Sequence, residues 1–314
     1  MTQLPESLIP RPGERGLATS DPDRLAAGVA QSWALFAAMV DGVDLDAVSR
    51  ARGLLAREVV IPLGAWDDNR PLAQLLDEAQ RGVVGEHDQG ALVDAVRLAH
   101  RDEPDDEVRE ALRRQGDEME HFLYGDEVGR LGALPVASML GTLPVATFLH
   151  AATYPLATSA LDLEQAGALV PDALLDNGLL GLVDTIGALA ARQGITASIA
   201  AITPRGVFAT GASDGSWTTA RLDPGTLDGE LPEAVGPSVE GPARLLLDIT
   251  AGRADIPTVV RRKEAAIHDL TGLLALTPVV EQVPGIPGRS ALVAAIRATT
   301  ALSGVWRRLP FGRG

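Results

Sequence analysis

"ITASIAAITPRGVFATGASDGSWTTARL", residues 195 to 222, decides the fold, because the chain changes character within it. "ITASIAAI", "GVFATGA" and "SWTTARL" are short β-prone runs, and Ser213-Asp214-Gly215 between the last two is a hairpin signal. An antiparallel sheet is therefore expected from just after Gly194. Downstream, "VEGPARLLLDITAGR" reads as a short strand and then a helix capped near Gly252, and "IPTVVRRKEAAIHDLTGLLAL" as at least one more helix.

Upstream the spacing is helical. In "TSDPDRLAAGVAQSWALFAAMV" a start at Asp21 with Pro22 in the first turn precedes Leu25, Val29, Trp33, Phe36 and Val40. Further helical patterns cover "DLDAVSRARGLL", "QGALVDAVRLAHR", "EVREALRRQGDEMEHFLYG" and "LPVATFLHAATYPLATSALD", with a break at Pro62 and Gly64. The fold class is α+β. The expected division is a helical bundle over 1–192, an α+β domain over 193–262, and a helical C-terminal extension over 263–314, basic after 281.

Composition bounds the function. The 314 residues suffice for two cores, and 46% hydrophobic with 22% charged residues is a globular balance. A net charge of −15 opposes nucleic acid phosphates, so the expected partner is a small molecule, with no nucleic acid. There is no cysteine, so thiol chemistry needs a thiol from a cofactor. "MTQLPESLIPRPGER" has no signal-peptide core and no segment runs about 18 apolar residues uninterrupted, which reads as cytoplasmic. After Glu281 the only charges are Arg289, Arg297, Arg307, Arg308 and Arg313; docking on the acidic body, or weak contact with a membrane surface or a protein, are the open readings of that tail.

Three segments resemble the mycothiol-dependent maleylpyruvate isomerase family of actinobacteria. "SRARGLLAREVVIPLGAW" (49–66) is similar to a family helix ending in a histidine-containing turn before a tryptophan. "LPVATFLHAATYPLATSALD" (143–162) is similar to the helix that carries a Glu-x-x-x-His pair. "DGSWTTARL" with "SVEGPARLLLDITAGR" is similar to the C-terminal domain's Trp strand and its Gly-Arg helix. The resemblance implies a DinB-like four-helix bundle followed by a small sterol-carrier-like α/β domain, with a divalent metal, commonly zinc, holding mycothiol as a thiolate.

The implied ligands are a histidine, a glutamate and a second histidine. Pro62 stands where the first is expected, and Ala146 stands one helical turn before His150, where the glutamate is expected. Only His150 remains, so no cofactor is expected, with zinc and mycothiol implied only if the family activity is retained. Whether the chain is an enzyme, and which residues are catalytic, stays open. The alternative functions are a carrier of an apolar ligand, or a retained mycothiol-dependent isomerase or transferase.

His150 has two readings: a core histidine with one ring nitrogen satisfied, or, with Tyr154 one turn on, the polar lining of a bundle cavity. Arg253 likewise either grips a ligand carboxylate or caps its own helix, and the resemblance implies that this position lies where the two domains meet, against a dicarboxylate substrate. Glu118, Glu120 and His121 read as a solvated face, His87 and Asp88 as an exposed connection, His100 and His268 as members of charged helices, and Trp217 as core.

Overall fold

In a computed structural model of the chain, residues 4–85, 89–223, 225, 235–276 and 278–279 are described. The helical part is built on α2 (Pro22–Val40), α6 (Asp105–Tyr124), α8 (Val145–Ala151), α9 (Thr153–Asp162) and α10 (Asp172–Arg192). Asp21 caps α2 by accepting from the Arg24 N–H, and Pro22, lacking an N–H, opens its first turn. Leu25, Val29, Trp33, Phe36 and Val40 are buried, as their spacing requires. α2 packs on α6, α9 and α10. Shorter helices α1 (Leu17–Ser20), α3 (Ala56–Val60), α4 (Pro71–Arg81), α5 (Gln89–Ala99) and α7 (Glu127–Leu131) complete the helical part.

The 143–162 stretch, expected as one helix, is two. α8 ends at Ala151, and Pro155, which has no N–H to donate to the preceding turn, lies in the first turn of α9. Before α8 a two-stranded ribbon, β1 (Pro135–Val136) and β2 (Leu143–Pro144), interrupts a region whose spacing reads as helical throughout.

The sheet follows α10. β3 (Ala197–Thr203), β4 (Gly206–Ser213) and β5 (Ser216–Leu222) form an antiparallel meander turning at Asp214-Gly215, both with positive φ. β6 (Ser238–Glu240) pairs parallel to β3, and β7 (Ala266–His268) pairs antiparallel to β6, giving the order β5-β4-β3-β6-β7. Helix α11 (Ala243–Thr250) follows β6, and α12 (Ile256–Arg261) and α13 (Leu270–Ala275) flank β7. The content is mixed helix and sheet, as α+β requires.

Two expected boundaries move. Residues beyond 262 were assigned to an extension, yet Ala266–His268 completes the sheet and Leu276 and Val279 pack with Trp217 and Leu189. At the other end, Leu8 lies on the outer face of the sheet with Val207, Ala209 and Ala200, so the first residues accompany the sheet rather than the helices. The sequence pattern misses both because each segment is too short to show a period. The basic tail after 281 lies outside the described residues.

α10 joins the two parts. One side packs on α8 and α9 and the other on β4 and β5, so it is buried along nearly its whole length. It is the one described helix long and apolar enough to cross a membrane, and burial inside this protein accounts for that apolarity. Glycines permit the approach: a Cβ at Gly181 would overlap the His150 carbonyl oxygen and Thr153, and one at Gly187 would overlap Thr210 and the Trp217 ring. Gly187→Ala is accordingly expected to lower stability by about 2 kcal/mol or more. Gly129→Ala, on exposed α7 with open space around it, should raise stability by a few tenths to about 1 kcal/mol. Urea denaturation midpoints of the two variants check both signs.

Candidate functional site

His150 sits on α8 facing α10, 2% exposed. Its Nδ1 lies 2.6 Å from Asp184 Oδ2. Asp184 is fully buried and also accepts from Trp217 Nε1 at 2.9 Å and Thr219 Oγ1 at 2.7 Å, both on Oδ1. A carboxylate only accepts, so the imidazole proton sits on Nδ1. Three donors from α8 and β5 thus converge on one acid of α10. The signal for Asp184 was present in "LLGLVDTIGALAA": an acid in so apolar a helix has to be paired, though its partners cannot be read from the sequence. Asp176, two turns earlier, is held the same way by Arg205 and Arg221 of the sheet, at 3.0 and 3.1 Å.

Tyr154 does not share His150's surroundings. The helix break at Ala152 turns it toward α11, where its buried hydroxyl lies beside Thr250 without closing a hydrogen bond of ordinary geometry. Burial pushes its phenol above the usual range. Arg253 is nearby, and it grips an acid of the chain itself: Nη2 donates to Asp162 Oδ2 at 2.6 Å and Nη1 to the Thr158 carbonyl at 3.0 Å. Arg50 bonds Asp248 of α11 at 2.6 Å and donates its backbone N–H to the Asp162 carbonyl, and Arg244 meets Glu164. These groups knit the end of α9 to α11. Burial pushes the Asp162 carboxyl up to about 6, against the pull of Arg253 and Arg50 and with the push of Asp248.

The other expected positions are dispersed. Pro62 lies on a 3-10 turn, Ile61–Leu63, packed by α3, α5 and α6, and Ala146 is buried under Gly132. Neither offers a lone pair, and among the described residues no three of His, Cys, Asp and Glu could hold a metal ion. The residues do not fit the zinc site that the resemblance implies. Glu118 pairs with Arg70, Glu120 and His121 are exposed, and His87 and Asp88 fall outside the described residues. His268 belongs to β7, not a helix, and bonds Glu240 at 2.9 Å. His100 follows α5 and stacks on Trp66, centroids 3.9 Å apart and 9° from parallel, a pairing across 34 residues that no local pattern announces.

Two concavities accompany these clusters. One, about 390 Å³, holds the Trp66–His100 stack among Asp67, Asp68, Glu103, Asp106 and Glu107. Several of its acids are already engaged: Arg114 holds Asp67 and Glu107, and His100 contacts Asp68. The other, about 510 Å³, opens between the β1–β2 ribbon, the end of α10, the Gly215 turn, Trp217 and Arg15. Thus Trp217 has one edge on Asp184 and also lines a groove.

Asp184→Ala would leave the His150 and Trp217 donors with no acceptor, and Thr219 with only Thr210 Oγ1 at 3.3 Å, and is expected to cost about 3–5 kcal/mol in urea denaturation. For Asp162, a folded value near 6 against an ordinary 3.8 means the native protein binds the proton more tightly. Its contribution to stability is therefore most favourable below 3.8 and declines as pH rises to about 6, by roughly 2–3 kcal/mol. Asp162→Asn should flatten thermal stability between pH 4 and 6 and leave it equal or higher at pH 7.

No protein-family model matches the chain, and no curated protein matches it. Among solved structures it is similar to a mycothiol-dependent maleylpyruvate isomerase, at 14% identity and a TM-score of 0.48 over 76% of this chain and 92% of that one. It is also similar to a histidine-to-alanine mutant of a mycothiol-dependent maleylpyruvate isomerase, at 14% identity and a TM-score of 0.46 over the same shares. These are distant structural likenesses at most, and neither assigns a role to a residue of this chain.

Proposed function

We propose that the chain is a small-molecule-binding protein whose ligand occupies the groove between its helical part and its sheet. The observation that carries this is the groove's lining: apolar walls from Leu143, Pro144, Ala188 and Trp217, with a few polar groups, in a volume of about 510 Å³. Ligand sites of this size combine apolar walls with a small number of placed polar groups, and they favour junctions between structural units. The concavity around Trp66 has the opposite balance: five carboxylates line it, and Arg114 holds two of them, Asp67 and Glu107.

The motifs at 143–162 and 214–253 support reading the two parts as a DinB-like bundle and a sterol-carrier-like domain of maleylpyruvate isomerase type. No zinc-bound thiolate step belongs to this reading, because Pro62 and Ala146 supply no ligand beside His150.

N-phenyl-1-naphthylamine, a neutral fluorescent probe, tests the reading. Saturable binding at one site per chain is expected, weakened at least about tenfold in Ala133→Trp, which fills the groove from an exposed position. Circular dichroism of the variant checks its fold. Absence of saturable binding, or affinity unchanged in the variant, would overturn it.

A further inference from the structure

We infer that the groove selects an oxyanion, a carboxylate first, carried on an apolar body, and that Arg15 is the residue that reads the charge. The inference rests on the groove being the binding site. Its starting point is a contrast between the molecule and this one surface. The chain carries 42 acidic residues and a net charge of −15, so anions are repelled by most of its exterior. Yet the groove lining contains two arginines, Arg15 and Arg192, and not one aspartate or glutamate. Both arginines are exposed, so they stand at the groove's rim, and the acid behind its wall, Asp184, is already held by His150, Trp217 and Thr219. The lining itself therefore presents cations without a competing acid.

The two arginines are held differently. Arg192, in the last turn of α10, donates Nη1 to the Thr142 carbonyl at 3.1 Å and so fastens the β1–β2 ribbon to the helix. Its charge also offsets the partial negative charge of the helix C-terminus, which would otherwise disfavour an anion there. Arg15 is anchored at its backbone and unpaired at its head. Its N–H donates to Thr19 Oγ1 at 2.7 Å, it bridges Trp217 in parallel register, and the next residue, Gly16, donates its N–H to the Trp217 carbonyl at 2.8 Å. The Arg15 backbone is therefore fixed to β5 beside the groove. Among the described residues its guanidinium has no carboxylate or carbonyl partner, whereas Arg50, Arg57, Arg114, Arg205 and Arg253 all do. A planar fork of donors on an anchored backbone, at the rim of a groove walled by Leu143, Pro144, Ala188 and Trp217, suits a carboxylate taken by two parallel hydrogen bonds with its apolar body against those walls.

The test is displacement of bound N-phenyl-1-naphthylamine by 4-phenylbutyrate, 4-phenylbutan-1-ol and 4-phenylbutylamine, which share one apolar body and differ in charge. The expected result is that the carboxylate competes at least about tenfold better than the alcohol, and the amine worst. Arg15→Ala should bring the carboxylate-to-alcohol ratio within about twofold of unity, Arg15→Lys should leave it in between, and added salt should shrink it. Equal competition by carboxylate and alcohol, preference for the amine, or a preference that survives Arg15→Ala would overturn the inference while leaving the groove as a binding site. If the wild-type protein does not bind the probe saturably, or Ala133→Trp does not weaken it, the groove reading itself fails.

Discussion

The rest of this structure depends on the burial of one carboxylate. Asp184 is cut off from water at the point where helix α10 meets both α8 and the sheet, and its desolvation is tolerable only because His150, Trp217 and Thr219 all reach it. That requirement fixes three things together: the rotation of α10, the orientation of the histidine, and the depth to which β5 is drawn against the helices. A buried charge with fixed donors is not a general adhesive like apolar contact; only one docking of the sheet satisfies it. The groove beside Trp217 follows from the same docking, since the ring that serves Asp184 also forms part of its wall.

Ion pairs repeat this logic along the junction. Asp176 is met by Arg205 and Arg221, and Asp162 by Arg253, each across the line between helices and sheet or α11. The apolar core is continuous across that line too, with Phe208, Leu246 and Leu247 packed into the same cluster as Trp33 and Leu156. The two parts therefore share a core instead of meeting as independent units. The groove is accordingly lined by four segments, the one around Arg15, the β1–β2 ribbon, the end of α10 and the start of β5, of which α10 and β5 are tied together by Asp184.

Placement decides the chemistry of the histidine. A histidine in an apolar run is equally compatible, as a string of letters, with a metal ligand, a cavity lining and a core polar group. What separates these is which groups converge on the ring: Nδ1 meets an acid 34 positions away, and among the described residues no second and third ligand join it. The same holds for Arg253: its guanidinium is occupied by Asp162 and the Thr158 carbonyl, so the arginine that resembled a ligand clamp is a clamp between α9 and α11. Arg15, which has no distinctive neighbours in the sequence, becomes notable only because the sheet is laid beside it.

By itself, the sequence determined what is local. The α2 stripe from Leu25 to Val40, the switch from helix to strand after Gly194, the hairpin at Asp214-Gly215 and the strand-to-helix step before Gly252 all follow from side-chain periodicity and turn chemistry, which act within a few residues. The absence of donors at Pro62 and Ala146 was legible in the same way. Tertiary structure alone decided the rest: that Ala266–His268 joins the sheet, that Leu8 covers it, that Trp66 stacks on His100, and which arginines are spent on internal acids. The physical reason is that these are pairings across long stretches of chain, chosen by which buried polar groups must find partners, and partner choice of that kind leaves no period in the sequence.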